Sequence, residues 1–238
     1  MTTVLSSGAT EMEKTDGLSR IQKECYRVGA VAALVLGIGY VIIIPLYAHV
    51  GPPPTGGEAW FEYLPGKTTA WWAILGISVF TDFLYVPVVL ALWVALKEVD
   101  RILALLATAF VGLFVVLDLA VTWSHYASIL TLYRSYATVT DEARRASYIA
   151  AANYASAMLT SPLEIVYAIV TLSFGILLFG LVMLRGAFNK ITAYLALVTG
   201  VLGIISLTGF SFAIIGNALF ATAWLFFVSQ RLYRLGQV

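Results

Sequence analysis

The sequence predicts an all-α, polytopic integral membrane protein: a six-transmembrane-helix bundle with a small extra helix on the outer face between spans three and four. Its 238 residues are 61% hydrophobic and only 11% charged, whereas soluble domains are about 45–50% apolar and about 25% charged. The chain also contains six apolar stretches long enough to cross about 30 Å of hydrocarbon. Its net charge of +1 gives no electrostatic reason to expect nucleic acid as a partner.

Three parts follow from the distribution of polar residues. Residues 1–27 are predicted to form a cytoplasmic N-terminal segment, partly disordered, and we expect no cleavable signal peptide because the first residues are polar and acidic. Residues 28–230 form the membrane domain, and residues 231–238 a short cytoplasmic tail. The predicted spans cover about 28–49, 69–96, 101–130, 162–184, 191–207 and 210–228, and the outer helix about 141–159.

The first two connections carry distinct local signals. The loop after span one has three prolines followed by Trp60, Phe61 and Tyr63. This pattern predicts an aromatic belt at the membrane interface, with a lid over an outer-leaflet pocket as the alternative. Span three lacks a helix breaker before Thr138, so we expect its helix either to project beyond the membrane or to break near Tyr133.

The outer helix and the last three spans begin with recognisable signals. Thr138 or Thr140 can cap a helix that starts at Asp141. Ser161-Pro162-Leu163-Glu164 matches a capping serine, a proline at the first helical position and a glutamate that closes a capping box. Spans five and six are separated only by a short turn.

Basic residues set the predicted orientation. With both termini on the cytoplasmic side, ten of the 14 Lys and Arg residues lie inside and four lie outside. Cytoplasmic loops carry the excess of Lys and Arg. The sequence therefore predicts a multi-pass protein of the cell membrane with cytoplasmic N- and C-termini.

Ionisable side chains within the spans are the candidate site. Asp118, Thr122 and His125 fall within roughly 60° of one another on an α-helix, and Asp82 and Tyr85 share a face of span two. Intramembrane ionisable groups are costly and are site hypotheses by default. No Lys or Arg lies at the depth of the two aspartates, so they are either neutral acids bonded between helices or a proton or cation path.

Two further polar residues complete the candidates for a ligand, proton or cation site. Glu164 lies at the start of span four, where capping is the main alternative to a functional role. Asn217 is the one strongly polar side chain of span six, and hydrogen bonding between helices is its main alternative role.

The two histidines are expected at similar depth near the outer interface. His49 and His125 could together ligate haem or a metal, but the chain has no HxxxH pattern and no haem-attachment motif. We therefore predict no cofactor, and keep haem or a metal through His49 and His125 as an alternative.

Two segments carry a family resemblance. SVFTDFLYVPVVLALWVALKEVDRILALLATAF and GILLFGLVMLRGAFNKITAYLALVTGVLGI resemble uncharacterised bacterial six-transmembrane-helix proteins catalogued as a domain of unknown function. That family has an Asp in span two, then an apolar run and a short turn, here Lys97 to Asp100. In the later turn this chain has Phe188-Asn189-Lys190 where the family has a proline. The resemblance implies a six-helix bundle and no established activity.

Three functions remain open from the sequence. The first is a non-enzymatic protein, either a subunit of a membrane assembly or a binder of lipid or a small hydrophobic ligand in an outer-leaflet polar pocket. The second is a proton- or cation-coupled carrier or channel through Asp82 and Asp118. The third is an intramembrane enzyme on a lipophilic substrate with Asp118 and His125 as acid and base. The absence of phosphate-loop, nucleophile-elbow and HExxH motifs favours a non-enzyme. The expected partners are the bilayer and other membrane subunits or further copies of the chain.

Overall fold

The computed structural model describes residues 3–186 and 188–237, with side chains from Arg20 onward, and has no strand in that part of the chain. We number its helices in chain order: α1 Thr3–Val50, α2 Gly57–Tyr63, α3 Thr68–Leu96, α4 Arg101–Tyr136, α5 Glu142–Leu159, α6 Pro162–Met183, α7 Lys190–Ile205 and α8 Ser211–Leu235. Six of them are long and apolar enough to cross a membrane, the first over Arg20–Val50. The protein is thus an all-α, membrane-embedded bundle.

The six spans form a closed ring. Each span packs on the next one in the chain, and α8 returns to pack on α1. At one end, which we call the terminal end, Arg27 Nε donates to the Gly236 carbonyl oxygen at 3.0 Å. At the opposite, capped end, α2 and α5 pack together over the helix ends. The connections α3–α4, α6–α7 and α7–α8 are short, which leaves those neighbouring spans antiparallel and in contact.

Three helices are longer than their predicted spans, and α8 continues to Leu235, within the segment predicted to be the cytoplasmic tail. The backbone is helical from Thr3, within the segment that the sequence predicts to be partly disordered. Once a long helix is anchored, adding further residues costs little because the nucleus already exists. The helix of span three continues to Tyr136, about 54 Å at 1.5 Å per residue. It therefore does not break near Tyr133, and it is longer than the hydrocarbon layer of about 30 Å that a span must cross.

Side chains of α5 bind the free backbone N–H groups at the start of α2. Ser156 Oγ accepts from the Gly56 N–H at 2.8 Å, and Asn153 Oδ1 accepts from the Gly57 N–H at 2.6 Å. These bonds satisfy N–H groups that the start of a helix leaves without a partner. A Cβ at Gly57 would lie 2.5 Å from the Ile149 carbonyl oxygen, so only glycine permits this approach.

The aromatic residues of the capped end form a core rather than an interfacial belt. Trp60 and Phe61 are buried, and the rings of Trp60 and Trp71 lie 5.3 Å apart between centroids. Tyr63 Oη donates to the Val50 carbonyl oxygen at 2.7 Å, and partial burial raises the pKa of this phenol, which keeps it a donor. Trp60 and Phe61 therefore do not form an exposed belt, because their rings pack on those of Trp71 on α3 and of Tyr126, Tyr133 and Tyr136 on α4.

Close approach of α6 and α7 depends on glycine. A Cβ added at Gly200 would lie 2.5 Å from Leu177 Cβ and 2.9 Å from the Ser173 carbonyl oxygen. Backbones this close are typical of small-residue helix interfaces in membranes.

We expect Gly200→Ala to lower the free energy of unfolding by about 1–3 kcal/mol, because a methyl group there overpacks a backbone contact. Thermal unfolding of the detergent-solubilised protein measures this. Gly76→Ala is the matched control, since a Cβ at Gly76 meets nothing within 4 Å and alanine favours the helix. Equal stability of the two variants would contradict the prediction.

Candidate functional site

Two helices of the ring contain a turn of π-helix at the same place in the bundle. Asp118–Trp123 forms one such turn within α4, and Val166–Val170 forms another within α6. The two turns are in contact, and Thr171 Oγ1 donates to the Val166 carbonyl oxygen at 2.6 Å. Single π-turns within α-helices are rare and occur frequently at functional sites. This pair marks the region where the candidate site lies.

The π-turn in α4 decides which side chains face the centre of the ring. One extra residue in a turn rotates the following residues by about 100° relative to an uninterrupted α-helix. Trp123, five residues after Asp118, therefore reaches the position that an i+4 residue would otherwise occupy. Its indole lies beside the Asp118 carboxyl, while His125 is rotated away from it.

The indole N–H of Trp123 joins the two buried aspartates. Nε1 lies 2.8 Å from Asp82 Oδ2 and 2.9 Å from Asp118 Oδ2, so one hydrogen is shared between two carboxyl groups from different helices. Both aspartates are nearly inaccessible, at 3% and 4% exposed. Two negatively charged carboxyl groups that both contact one nitrogen would repel each other strongly in a medium of low dielectric. A proton or another cation bound between them would reduce this repulsion.

Part of the hydrogen-bonding capacity of this pair is unused. Asp118 Oδ1 and Thr122 Oγ1 are buried and have no hydrogen-bond partner, although Thr122 is only 4% exposed. Both residues line the same cavity. Because both residues line the cavity, these two atoms are available to a group that binds there.

Glu164 lines this cavity and does not close the predicted capping box. Ser161 Oγ accepts from the Leu163 N–H at 3.3 Å, as expected of the helix cap, and Pro162 takes the first helical position. The Ser161 N–H, however, donates to the Met158 carbonyl oxygen and not to Glu164. The preceding helix α5 supplies that acceptor, so the Glu164 carboxyl is left for the cavity.

Asn217 holds three spans together at the edge of the cavity. Its Nδ2 donates to the Thr199 carbonyl oxygen at 2.7 Å and to Ser173 Oγ at 3.1 Å. The interhelical role predicted from the sequence is thus present, and Asn217 also lines the cavity.

Tyr85 lies on the side of the cavity towards the terminal end. It is buried, and its hydroxyl lies 2.7 Å from the hydroxyl of Tyr40, which itself lines the cavity. Beyond the two phenols the ring is filled by an apolar cluster that includes Leu36, Val88 and Leu92.

The structure separates His125 from the aspartates. Its Nδ1 donates to the Val121 carbonyl oxygen of its own helix at 2.6 Å, and its ring faces a second groove, between α4 and α5, beside Tyr154. The predicted common face with Asp118 is wrong because the π-turn rotates the helix between them. His49 is exposed near the end of α1. Within the described part of the chain no group of three or more His, Cys, Asp or Glu side chains is placed to hold a metal ion.

The cavity has a volume of about 240 Å³ and takes its lining from five of the six spans. Asp82, Asp118, Thr122, Glu164 and Asn217, all candidates from the sequence, come together here. The aromatic lining residues were not among those candidates, because aromatic residues in apolar spans are usual packing residues; they are Tyr40, Tyr47, Phe114, Trp123 and Tyr126. A phase shift from the π-turn gives no signal in the sequence pattern.

An apolar groove of about 600 Å³ adjoins the cavity. It lies between α1 and α8 in the half of the bundle towards the capped end, and Tyr40, Ile43, Tyr47 and Ala218 line both spaces. Ile215 and Leu219, on the groove's α8 side, are exposed at 60% and 53%. On a membrane span such apolar exposure is the lipid-facing surface, so the groove opens sideways towards lipid.

No family model, curated protein or solved structure matches the chain. The resemblance to the bacterial six-span family therefore stays a prediction.

We expect Trp123→Phe to lower the free energy of unfolding by about 1.5–3 kcal/mol, because it removes the shared N–H and leaves two buried carboxyl oxygens without their donor. Thermal unfolding in detergent measures the loss. Trp72→Phe is the control, since Trp72 on α3 is 44% exposed. A loss no larger than that of the control would show that the shared N–H does not stabilise the fold.

Proposed function

We propose that the protein binds a small amphiphilic molecule from the membrane, with the polar head in the carboxyl cavity and the apolar part in the α1–α8 groove. The observation that carries the proposal is that the two spaces adjoin each other and share four lining residues. A ligand that crosses this junction meets polar groups at one end and apolar side chains at the other.

The dimensions and position of the two spaces support this proposal. Ligand sites are concave, occupy about 300–1,000 Å³ and combine apolar walls with a few polar groups. The groove and the cavity, at about 600 and 240 Å³, together fall in this range. The lateral opening offers a lipophilic molecule an entrance without passage through water.

The packing on the terminal side favours binding over conduction. An apolar cluster with buried Val88, Leu92 and Leu96 fills the ring between Tyr85 and the terminal end, and it would obstruct ions or water. The carrier or channel hypothesis and the enzyme hypothesis stay predictions. The enzyme hypothesis would need another base, since His125 faces a different groove.

We further propose that the protein lies in the cell membrane with both termini cytoplasmic, so that the capped end and the groove belong to the outer leaflet. The distribution of basic residues supports this orientation. The bilayer is then the main partner, and the proposal requires neither a cofactor nor nucleic acid. Assembly with other subunits, or with further copies of the chain, stays a prediction that the mass of the intact complex measures.

Ala218→Phe tests the binding proposal, because Ala218 lines both spaces and a phenyl ring there fills the junction. Wild-type protein and variant are purified from the same membranes in mild detergent, and retained molecules are identified by intact-complex mass spectrometry. We expect the wild type to retain a small amphiphile and the variant to retain at least tenfold less.

Ala73→Phe is the matched control, because Ala73 is exposed on α3 away from the groove. It should retain as much ligand as the wild type. A wild-type protein without any bound molecule, or equal retention in wild type and Ala218→Phe, would overturn the proposal.

The single cysteine, Cys25, makes the orientation testable. In a Cys25→Ser background, Glu62→Cys places a thiol at an exposed position of α2, and Arg234→Cys places one at an exposed position near the end of α8. We expect a membrane-impermeant maleimide to label the first variant in intact cells and the second only after permeabilisation. The reverse pattern would place the termini outside.

A further inference from the structure

We propose that the polar head of the ligand is a protonated primary or secondary amine, so that the protein is a receptor for lipophilic amines. This inference rests on the proposed function and adds the chemical class of the ligand. It follows from the charges, the free hydrogen-bonding atoms and the aromatic walls of the carboxyl cavity.

The charges that face the cavity are of one sign. Asp82, Asp118 and Glu164 line it, and among the side chains that the structure describes no Lys, Arg or His does. Buried charges require a partner of opposite sign or a proton. A cationic head supplies the partner that the protein itself lacks, whereas a carboxylate or phosphate head would meet repulsion from the three acids.

The N–H donors of the cavity are already engaged. Trp123 Nε1 serves the two aspartates, and Asn217 Nδ2 serves the Thr199 carbonyl oxygen and Ser173 Oγ. The groups that remain for a ligand are therefore carboxyl oxygens, which accept when ionised, and hydroxyl groups such as those of Tyr47, Thr122 and Tyr126, which can donate or accept. A head that brings its own donors fits this arrangement.

The two unpartnered atoms distinguish a protonated amine from a quaternary ammonium. Asp118 Oδ1 and Thr122 Oγ1 lie one helical turn apart on the cavity wall, and neither has a hydrogen-bond partner. A primary or secondary ammonium has N–H groups to donate to them, and hydrogen bonds to charged groups contribute more than neutral ones. A quaternary ammonium has none and would leave both atoms unpaired.

The walls favour a cation with an apolar body. Five lining residues have aromatic rings, namely Tyr40, Tyr47, Phe114, Trp123 and Tyr126. A cation over such a ring is stabilised by about 0.5–2 kcal/mol. The adjoining groove is lined by aliphatic side chains, among them Ile43, Ile214 and Leu219. An alkyl or ring body attached to the amine has a place to lie there.

Binding of four single-chain probes tests the proposal. Dodecylamine, dodecanol, dodecanoate and dodecyltrimethylammonium have the same chain and differ only in the head. Each is titrated onto the full protein in phosphatidylcholine nanodiscs, with empty nanodiscs as the blank, and the bound fraction is measured by intact-complex mass spectrometry. We expect dodecylamine to bind at least tenfold more tightly than each of the other three.

Variants of the acids assign the preference to the cavity. Asp118→Asn and Glu164→Gln should each reduce dodecylamine binding at least tenfold and leave dodecanol binding unchanged. Two positions are used so that a folding defect in one variant leaves the other informative. Glu62→Gln is the matched control, because Glu62 is an exposed carboxylate on α2, and it should keep the wild-type preference.

The outcomes separate this inference from the proposed function. If dodecanol binds as tightly as dodecylamine, and Ala218→Phe abolishes the binding of both probes, the protein binds amphiphiles but does not select amines. This result would overturn the amine inference and leave the proposed function intact. If none of the four probes binds above the blank, both the proposed function and the amine inference are overturned. A preference that persists in both acid variants would also overturn the inference.

A phospholipid head group is the other source of a primary ammonium. We favour a single-chain amine because the phosphate of phosphatidylethanolamine would lie beside the acids. Nanodiscs that contain phosphatidylethanolamine should leave dodecylamine binding unchanged. Competition by this lipid would overturn the assignment to free amines.

Discussion

The shared indole N–H of Trp123 is the interaction on which the centre of this protein depends. It links α3 to α4 through two carboxyl groups that would otherwise repel each other across the ring. The bond exists only because a π-turn moves Trp123 to the side of Asp118. The same turn rotates His125 away from this face. The one extra residue in this π-turn therefore decides which side chains of α4 face the cavity. The second π-turn, in α6, lies against the first and contributes Ala168 to the same cavity.

The cavity lies between two cores of different character. Towards the terminal end the ring is filled by aliphatic residues such as Val88, Leu92 and Leu96. Towards the capped end it is covered by aromatic residues, and Tyr126 belongs both to this cover and to the cavity wall, with its ring stacked 5.1 Å from that of Trp71. Solid packing along the axis leaves the groove between α1 and α8, in the half of the bundle towards the capped end, as a lateral opening towards lipid. For this reason a membrane-resident ligand fits the geometry better than an ion that crosses the bundle.

The site also explains the arrangement of the connections. Helix α5 accepts the N–H group at the start of α6, so Glu164 is not needed as a cap and its carboxyl can face the cavity. Asn217 gives its amide hydrogens to α6 and α7, which brings α7 into contact with the site although α7 adds no side chain to the cavity lining. Polar groups that hold helices together and polar groups that face the cavity therefore lie next to each other. Loss of either kind changes the shape of the same space.

The sequence by itself determined the membrane class, the number of spans, the extra helix between spans three and four and five of the polar residues around the cavity. Apolar length and the cost of burying a charge act locally, so these features can be read from the order of residues. Only the tertiary structure decided that Trp123 bridges Asp82 and Asp118, that Trp60 and Phe61 are core residues and that a groove opens between the first and last spans. Each of these depends on helix phase or on neighbours far apart in the chain, and a π-turn or the closure of a ring has no periodic signature in sequence.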